Sequence, residues 1–323
     1  MKHISILVPE SAVLAAVDDP RHVFAAVNDF FEADGKPSVF DIKFVGLTKD
    51  VKLHNSSFTV HSDLLVDEVK KTDLIFIPAF YGEAETFLET NKDFIPWIIE
   101  QHKRGAEVVS LCVGAFMLAK TGLLNGRKCS THWRAADNFR KMFPEIDLVT
   151  DKIITEEQGI YTSGGATSYW NLLIYLVGKF TNRETAILTA KVFAIDIERH
   201  SQSPFIIFKG QNEHADEPVK KAQTFIENNF QDKITIAQLS TMFAVGRRSF
   251  ERRFKRATTN TVTEYIQRVK IEAAKKSFET SRKNITEVMF DVGYSDTKAF
   301  RGIFKKITGM TPIDYRNKYN KEV

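Results

Sequence analysis

Apolar positions in the first two thirds of the chain fall into short runs separated by helical stretches. HISILVP, FDIKFVGL, DLIFIPA and EVVSL are apolar and rich in β-branched residues, the composition of strands buried on both faces. RHVFAAVNDFFEAD and FIPWIIEQHKR instead carry their apolar residues on a 3.6-residue period and predict amphipathic helices. Two more helices are predicted over residues 169–180 and 183–199. Strand and helix alternating in this order predict an α/β doubly wound, mostly parallel sheet with helices on both faces.

From about Ser201 the texture changes. SPFIIFKGQNEHADEPV mixes Pro, Gly, Asn and acidic residues and reads as a linker. Pro218 is well placed to open a helix, and no alternating strand pattern follows it. The expected organisation is an α/β domain over residues 1–201, a linker over 202–217 and an all-α domain of about seven short helices over 218–323.

That helical tail contains an internal echo. SFERRFKRATTNTVTEYIQ returns as AFRGIFKKITGMTPIDYRN, with Phe250 matching Phe300, Phe254 matching Phe304, Thr258 matching Thr308 and Tyr265 matching Tyr315 at one constant offset. In the second copy VMFDVGYSDTKAFRGIFKK reads as helix, turn, helix, with Gly293 in the turn and Ser295 as the N-cap of a helix starting at Asp296. Phe300 and Phe304 share a buried face, which leaves Asp296, Thr297, Lys298 and Arg301 facing outward. In the first copy Gly246 takes the capping place, and Arg247, Arg248, Glu251 and Arg252 face outward. Polar and basic side chains at a helix N-terminus are suited to reading base edges in a major groove, and Arg is the commonest bidentate reader of guanine. Lys255, Arg256, Lys305 and Lys306, one turn further on, suit phosphate contacts. Two matched copies predict an all-α double helix-turn-helix domain whose partner is a double-stranded DNA operator.

Charge agrees with this division. Residues 211–323 hold 22 Lys and Arg against 14 Asp and Glu, whereas the remaining 210 residues are slightly acidic. Only the tail is therefore expected to meet a polyanion. The two cysteines, Cys112 and Cys129, are too few for a disulfide framework. With no apolar run of the roughly 20 residues needed to span a bilayer, and no signal-peptide layout in MKHISILVPE, a cytoplasmic protein without a membrane partner is expected. His54, His61 and His132 are scattered and Gly164-Gly165 is no phosphate loop, so neither metal nor cofactor is expected.

The front domain carries one chemical feature. EVVSLCVGAFMLAKTGLL places Cys112 after a strand and before a helix, the layout of a nucleophile elbow, with Gly114 and Ala115 permitting the turn. His132 follows in THW as a base or hydrogen-bond partner. Three readings of Cys112 are open: a buried structural thiol, a nucleophile, or a thiol lining a ligand pocket with His132, Gly164 and Gly165. Cys129 has no such setting and reads as structural.

The tail, over roughly residues 216–323, resembles the AraC family of transcription regulators. The resemblance rests on the paired units, on EYIQRVKIEAAKKSFETS, on VGYSDTKAFRGIFKK and on GMTPIDYR. It implies two recognition helices about one turn of DNA apart, entering successive major grooves. The first copy departs from the family in lacking the Gly and Pro of GMTPIDY, and an altered loop geometry is expected there. Residues 1–200 resemble the ThiJ/PfpI, class I glutamine-amidotransferase-like superfamily through SLCVGAFMLAKTGLLNGRKCSTHW, YTSGGATSYWNLLIYLVGKF and RHSQSPF. Enzymes of that superfamily use the elbow Cys, a nearby His and an early acid. In this chain the acid's place falls on Ala16, with Asp18, Asp19 and Glu10 as substitute candidates outside the matching position; Pro78-Ala79-Phe80 replaces Pro-Gly-Gly, and Asn171 stands where aspartate is commoner. The combined resemblance implies a homodimeric regulator, not an enzyme, controlled by a small-molecule effector such as a nitrogenous metabolite. The alternative is a cysteine-dependent hydrolase or glyoxalase-like enzyme fused to a DNA-binding tail.

Overall fold

A computed structural model describes residues 1–53, 55–197 and 199–320. His54 of the histidine survey and residue 198 of the predicted helix 183–199 lie outside the described residues. The chain divides into two compact units, Met1–Gln202 and Ser203–Val323.

The first unit contains strands β1 (Lys2–Leu7), β2 (Phe40–Gly46), β3 (Asp50–Leu53), β4 (Phe58–His61), β5 (Leu64–Leu65) and β6 (Leu74–Ile77). After these come β7 (Glu107–Ser110), β8 (Lys128–Cys129), β9 (Asp147–Leu148), β10 (Ile154–Glu157) and β11 (Ile160–Ser163). Its helices are α1 (Leu14–Ala33), α2 (Ala84–Thr90), α3 (Phe94–Lys103), α4 (Ala115–Lys120), α5 (Ala136–Met142), α6 (Tyr169–Phe180) and α7 (Arg183–Val192). The main sheet runs β10-β11-β7-β6-β1-β2-β5, parallel throughout except for the edge pair β10–β11. The period-2 alternation of each strand divides the core. Ile4, Ile6, Phe76 and Val109 pack on one face with Phe24, Val27, Leu172 and Leu176. Leu7, Ile75, Ile77 and Val108 pack on the other with Phe94, Ile98, Phe116 and Phe139. The sheet is doubly wound and mostly parallel, as the pattern predicted.

Two helix boundaries differ from the sequence reading. α1 starts at Leu14, well before the stretch beginning at Arg21, and carries Pro20 in its interior at the loss of one backbone bond. α7 stops at Val192, not at residue 199. Ala194 takes a left-handed φ of 53°, and Ile195 N–H returns to the Ala190 carbonyl at 2.8 Å, a helix-ending turn normally built on glycine.

The second unit is helical: α8 (Glu217–Asn228), α9 (Ile236–Met242), α10 (Arg247–Thr258), α11 (Val262–Thr280), α12 (Ile285–Asp291), α13 (Thr297–Thr308) and α14 (Pro312–Tyr319). It has two separate apolar cores. One gathers Val219, Ile226, Leu239, Phe250, Phe254 and Tyr265, and the other gathers Ile271, Phe278, Val288, Phe300, Phe304 and Tyr315. The segment that composition marks as linker lies against these helices. Phe208 N–H donates to Glu272 at 3.0 Å, the Phe208 ring meets Tyr265 edge-on, and Lys275 Nζ donates to the Ile206 carbonyl. Asp216 then caps α8 and forms a two-pronged pair with Arg253, at 2.7 and 2.8 Å.

Candidate nucleic-acid interface and the elbow at Cys112

Each copy in the helical unit builds its outer helix in the same way. Phe250 and Phe254 on α10, and Phe300 and Phe304 on α13, are fully buried. The i,i+4 spacing turns both rings of a pair to one face and leaves the opposite face in water. On that face Arg247, Arg248, Arg252, Lys255 and Arg256 of α10 are exposed, with Glu251 half-buried beside them. Asp296, Thr297, Lys298, Arg301, Lys305 and Lys306 are likewise exposed along α13. Arg247 is engaged with Glu251 in an i,i+4 pair at 3.6 Å.

The matched positions extend to the hydrogen bonds. Thr258 Oγ1 donates to the Phe254 carbonyl and Thr308 Oγ1 to the Phe304 carbonyl, each at 2.8 Å. Tyr265 Oη donates to Glu227 and Tyr315 Oη to Glu279. Burial, reinforced by these carboxylates, pushes both phenols above the ordinary tyrosine range. One capping assignment changes. The N-cap of α13 is Asp296, not Ser295: its carboxylate accepts from Ala299 N–H at 2.6 Å, and the helix begins at Thr297. A short acidic side chain there also complements the helix dipole, which favours Asp over the neutral serine.

The loop after α10 keeps the backbone of its counterpart despite lacking glycine. Thr259 ends α10 at φ 58°, ψ 0°, and Gly309 ends α13 at φ 75°, ψ −4°. The altered geometry expected from TTNTVTEY is absent. The missing glycine appears as left-handed strain at Thr259, of about 1–2 kcal/mol. Thr259→Gly is therefore expected to stabilise the protein by about 0.5–1 kcal/mol once glycine's greater unfolded freedom is subtracted. Thermal unfolding checks this; an unchanged or lower midpoint contradicts it.

In the α/β unit Cys112 sits at the carboxyl end of β7 with φ 56°, the strained turn of an elbow. Gly114 is required because a Cβ there would come within 2.6 Å of the Ile77 carbonyl and 2.7 Å of the Pro78 carbonyl. Thr131 Oγ1 donates to the Cys112 carbonyl at 3.0 Å, and Ser163 accepts from its N–H at 3.3 Å. Cys112 is only 6% exposed. Burial pushes its thiol up to about 12, against the pull of the Val113 N–H.

Ala16, where the resemblance puts the acid, is fully buried in the same core. Asp19, one turn later, accepts from Tyr169 Oη at 2.6 Å; burial pushes its carboxyl up in spite of the bonds from Tyr169 and Trp170. His132 Nδ1 accepts from Arg134 N–H at 3.1 Å, and burial together with Arg134 lowers its pKa. Gly164 meets Gln202, whose amide would lie 1.8 Å from an added Cβ, and Gly165 forms the following turn at φ 82°. Gln202 is itself buried, and its Nε2 donates to the Thr131 carbonyl at 3.0 Å and the Lys152 carbonyl at 2.9 Å. The sequence offered no sign of Gln202 or Tyr169 in these roles, and marks Asp19 only as a substitute candidate for the missing acid. An open cavity of about 740 Å³ lies at the same carboxyl edge of the sheet, lined by Glu10, Ser11, Thr48, Asp50, Lys52 and Tyr81. Among the described residues no group of three or more His, Cys, Asp or Glu is arranged to hold a metal ion, and no helix is long and apolar enough to cross a membrane.

Comparison with known proteins agrees with both halves. Residues 239–318 match the helix-turn-helix domain model of the AraC type, and residues 22–178 match the DJ-1/PfpI family. The chain joins a DJ-1/PfpI domain to an AraC-type helix-turn-helix domain. It is 23% identical over 229 residues to the HTH-type transcriptional regulator GbdR of Pseudomonas aeruginosa, covering 70% of this chain and 61% of that protein. Identity with the HTH-type transcriptional regulator CdhR of the same species is 21% over 266 residues, covering 82% of this chain and 78% of CdhR. A putative transcriptional regulator from Vibrio parahaemolyticus shares the fold, at TM-score 0.53 and 22% identity over 59% of this chain and 98% of that one. The chain thus spans about three fifths of the length of GbdR.

Proposed function

We propose that this protein is a sequence-specific, DNA-binding transcription regulator that reads an operator through α10 and α13. The observation that carries the reading is the matched pair of helices, each pinned by two buried phenylalanines and presenting an exposed basic face. Arg247, Arg248, Glu251 and Arg252 in one copy, and Asp296, Thr297, Lys298 and Arg301 in the other, meet the bases. Lys255, Arg256, Lys305 and Lys306 meet phosphates. The protein acts in the cytoplasm as a homodimer. The likeness to GbdR and CdhR, both named as transcriptional regulators, supports the regulatory role.

The α/β unit serves as the sensor. A small molecule, in keeping with the nitrogenous effectors implied by the resemblance, binds at the carboxyl edge of the sheet near Cys112 and His132. Binding shifts the population toward one DNA-binding arrangement. The unit performs no catalysis: the acid position is alanine, and the thiol is neutral at physiological pH. Cys112 is accordingly expected to resist iodoacetamide at pH 8, reacting only as the pH approaches its raised value or as the protein unfolds. Mass spectrometry of a Cys129→Ser protein over a pH series reads this directly. Rapid alkylation of the folded protein at pH 7 would restore the hydrolase reading.

The DNA reading is tested by selecting duplexes from a randomised pool with the full chain. Enrichment of two short elements about one helical turn apart, roughly 10–10.5 base pairs, is expected. Binding that is equally strong to unselected DNA would contradict it.

A further inference from the structure

The two cores of the helical unit are separate apolar clusters, and α11 runs through both. It gives Val262 and Tyr265 to the first, and Ile271, Ala274 and Phe278 to the second. Between these two sets stands Lys270, only 8% exposed. Its Nζ donates to the Val292 carbonyl at 3.0 Å and the Gly293 carbonyl at 3.3 Å, both in the turn leading into α13. A third bond, at 3.4 Å, goes to the Asp232 carbonyl in the loop after α8, which belongs to the first copy. Three ammonium protons thus meet three backbone carbonyls drawn from both copies.

The surrounding chain is built closely around this contact. A Cβ on Gly293 would lie 2.0 Å from the Gln231 carbonyl oxygen and 2.6 Å from Lys270 Nζ, so the two copies touch there backbone to backbone. Phe230, from the loop of the first copy, packs on the core of the second. Apolar contact along α11 holds the copies together but is non-directional. Hydrogen bonds to the carbonyls of one particular turn are directional. Burial outweighs the longer-range attraction of the Asp232 carboxylate and lowers the pKa of this ammonium, a desolvation cost that an apolar side chain of similar length would avoid.

We propose that Lys270 is a positioning residue that fixes the turn before α13 against the first copy, and so sets the spacing between the two DNA elements that the protein accepts. The spacing consequence rests on the proposed DNA reading; the positioning itself does not.

The test measures the distance between spin labels at Lys255→Cys and Lys305→Cys, equivalent places in the two copies, in the full chain with Cys112 and Cys129 replaced by serine, diluted into excess unlabelled protein so that only pairs within one chain are read. The parent protein gives one narrow distance distribution. Lys270→Met is expected to broaden it at least two-fold without loss of helical circular dichroism, and Lys270→Arg to keep it narrow. A distribution as narrow in Lys270→Met as in the parent overturns the proposal. Lys270→Gln, which keeps an amide donor, serves if the methionine variant fails to fold. Loss of helical signal in both variants makes Lys270 a residue of core cohesion, and this too overturns the proposal. Selection from randomised duplexes adds the DNA consequence: one spacing for the parent chain, and the same elements at several spacings for Lys270→Met. Should the parent enrich no paired elements, the DNA reading fails, and the spin-label distances still decide the role of Lys270.

Discussion

Arg248→Ala and Lys298→Ala are each expected to weaken binding to the selected duplex by about 5- to 150-fold, equivalent to about 1–3 kcal/mol for a lost base contact. Both side chains are exposed, one near the start of each reading helix, and neither takes part in the phenylalanine packing beneath. The unfolding midpoint is therefore expected to stay within about 0.5 kcal/mol of the parent in stability. Combining the two changes should approach the sum of their free energies, because they act in separate copies with separate cores. Binding to scrambled DNA should fall far less, since the remaining Lys and Arg continue to meet phosphates. Titration of labelled duplexes at fixed salt distinguishes these effects. Undiminished specific binding in both variants would show that α10 and α13 are not the reading elements.

Gly293→Ala carries the largest expected effect on stability. Two independent penalties meet at this position. Its φ of 73° lies in the left-handed region, where an alanine costs about 1 kcal/mol or more. In addition, the new methyl would lie 2.0 Å from a backbone oxygen, Gln231 O, which cannot rotate away as a flexible side-chain end could. Relief requires the turn to move off the first copy, which also disturbs the bonds from Lys270. Strain and overpacking together are expected to destabilise the protein by about 2–4 kcal/mol, read by chemical denaturation. Gly302→Ala is the internal control: this glycine on exposed α13 has open space where a Cβ would go and no unusual φ, so substitution there should be neutral or mildly stabilising. Equal tolerance at both positions would contradict the close approach at Gly293.

The features legible in the sequence are those written in local periodicity. Apolar runs in HISILVP and DLIFIPA mark strands whose two faces enter different cores, and the Phe pairs at i,i+4 mark the buried faces of α10 and α13. Elements fixed by distant contacts were hidden. Lys270 reads as one more basic residue on a basic helix, because its carbonyl partners lie 22 to 38 residues away. The Pro, Gly and acidic composition after Ser201 correctly signals irregular backbone, yet composition says nothing about packing. Phe208 meets Tyr265, and Asp216 pairs with Arg253, only once the helices have assembled. The same holds at the elbow. SLCVG marks the strained turn at Cys112, whereas the burial that pushes its thiol up, the Gln202 amide against Gly164 and the Asp19–Tyr169 bond all depend on residues brought together by the fold. The apolar periodicity that marks α1 begins at Arg21, whereas Leu14–Pro20 join the helix through burial that the local pattern does not record.

Guanine N7 faces the major groove, so chemical footprinting of N7 on a selected duplex bound by the full chain reports base reading by α10 and α13. Two protected clusters, centred about 10 base pairs apart on one face of the duplex, are expected, with the first lost in Arg248→Ala and the second in Lys298→Ala, or the reverse. Protection confined to the sugar–phosphate backbone, with N7 reactivity unchanged throughout, would exclude major-groove reading by α10 and α13.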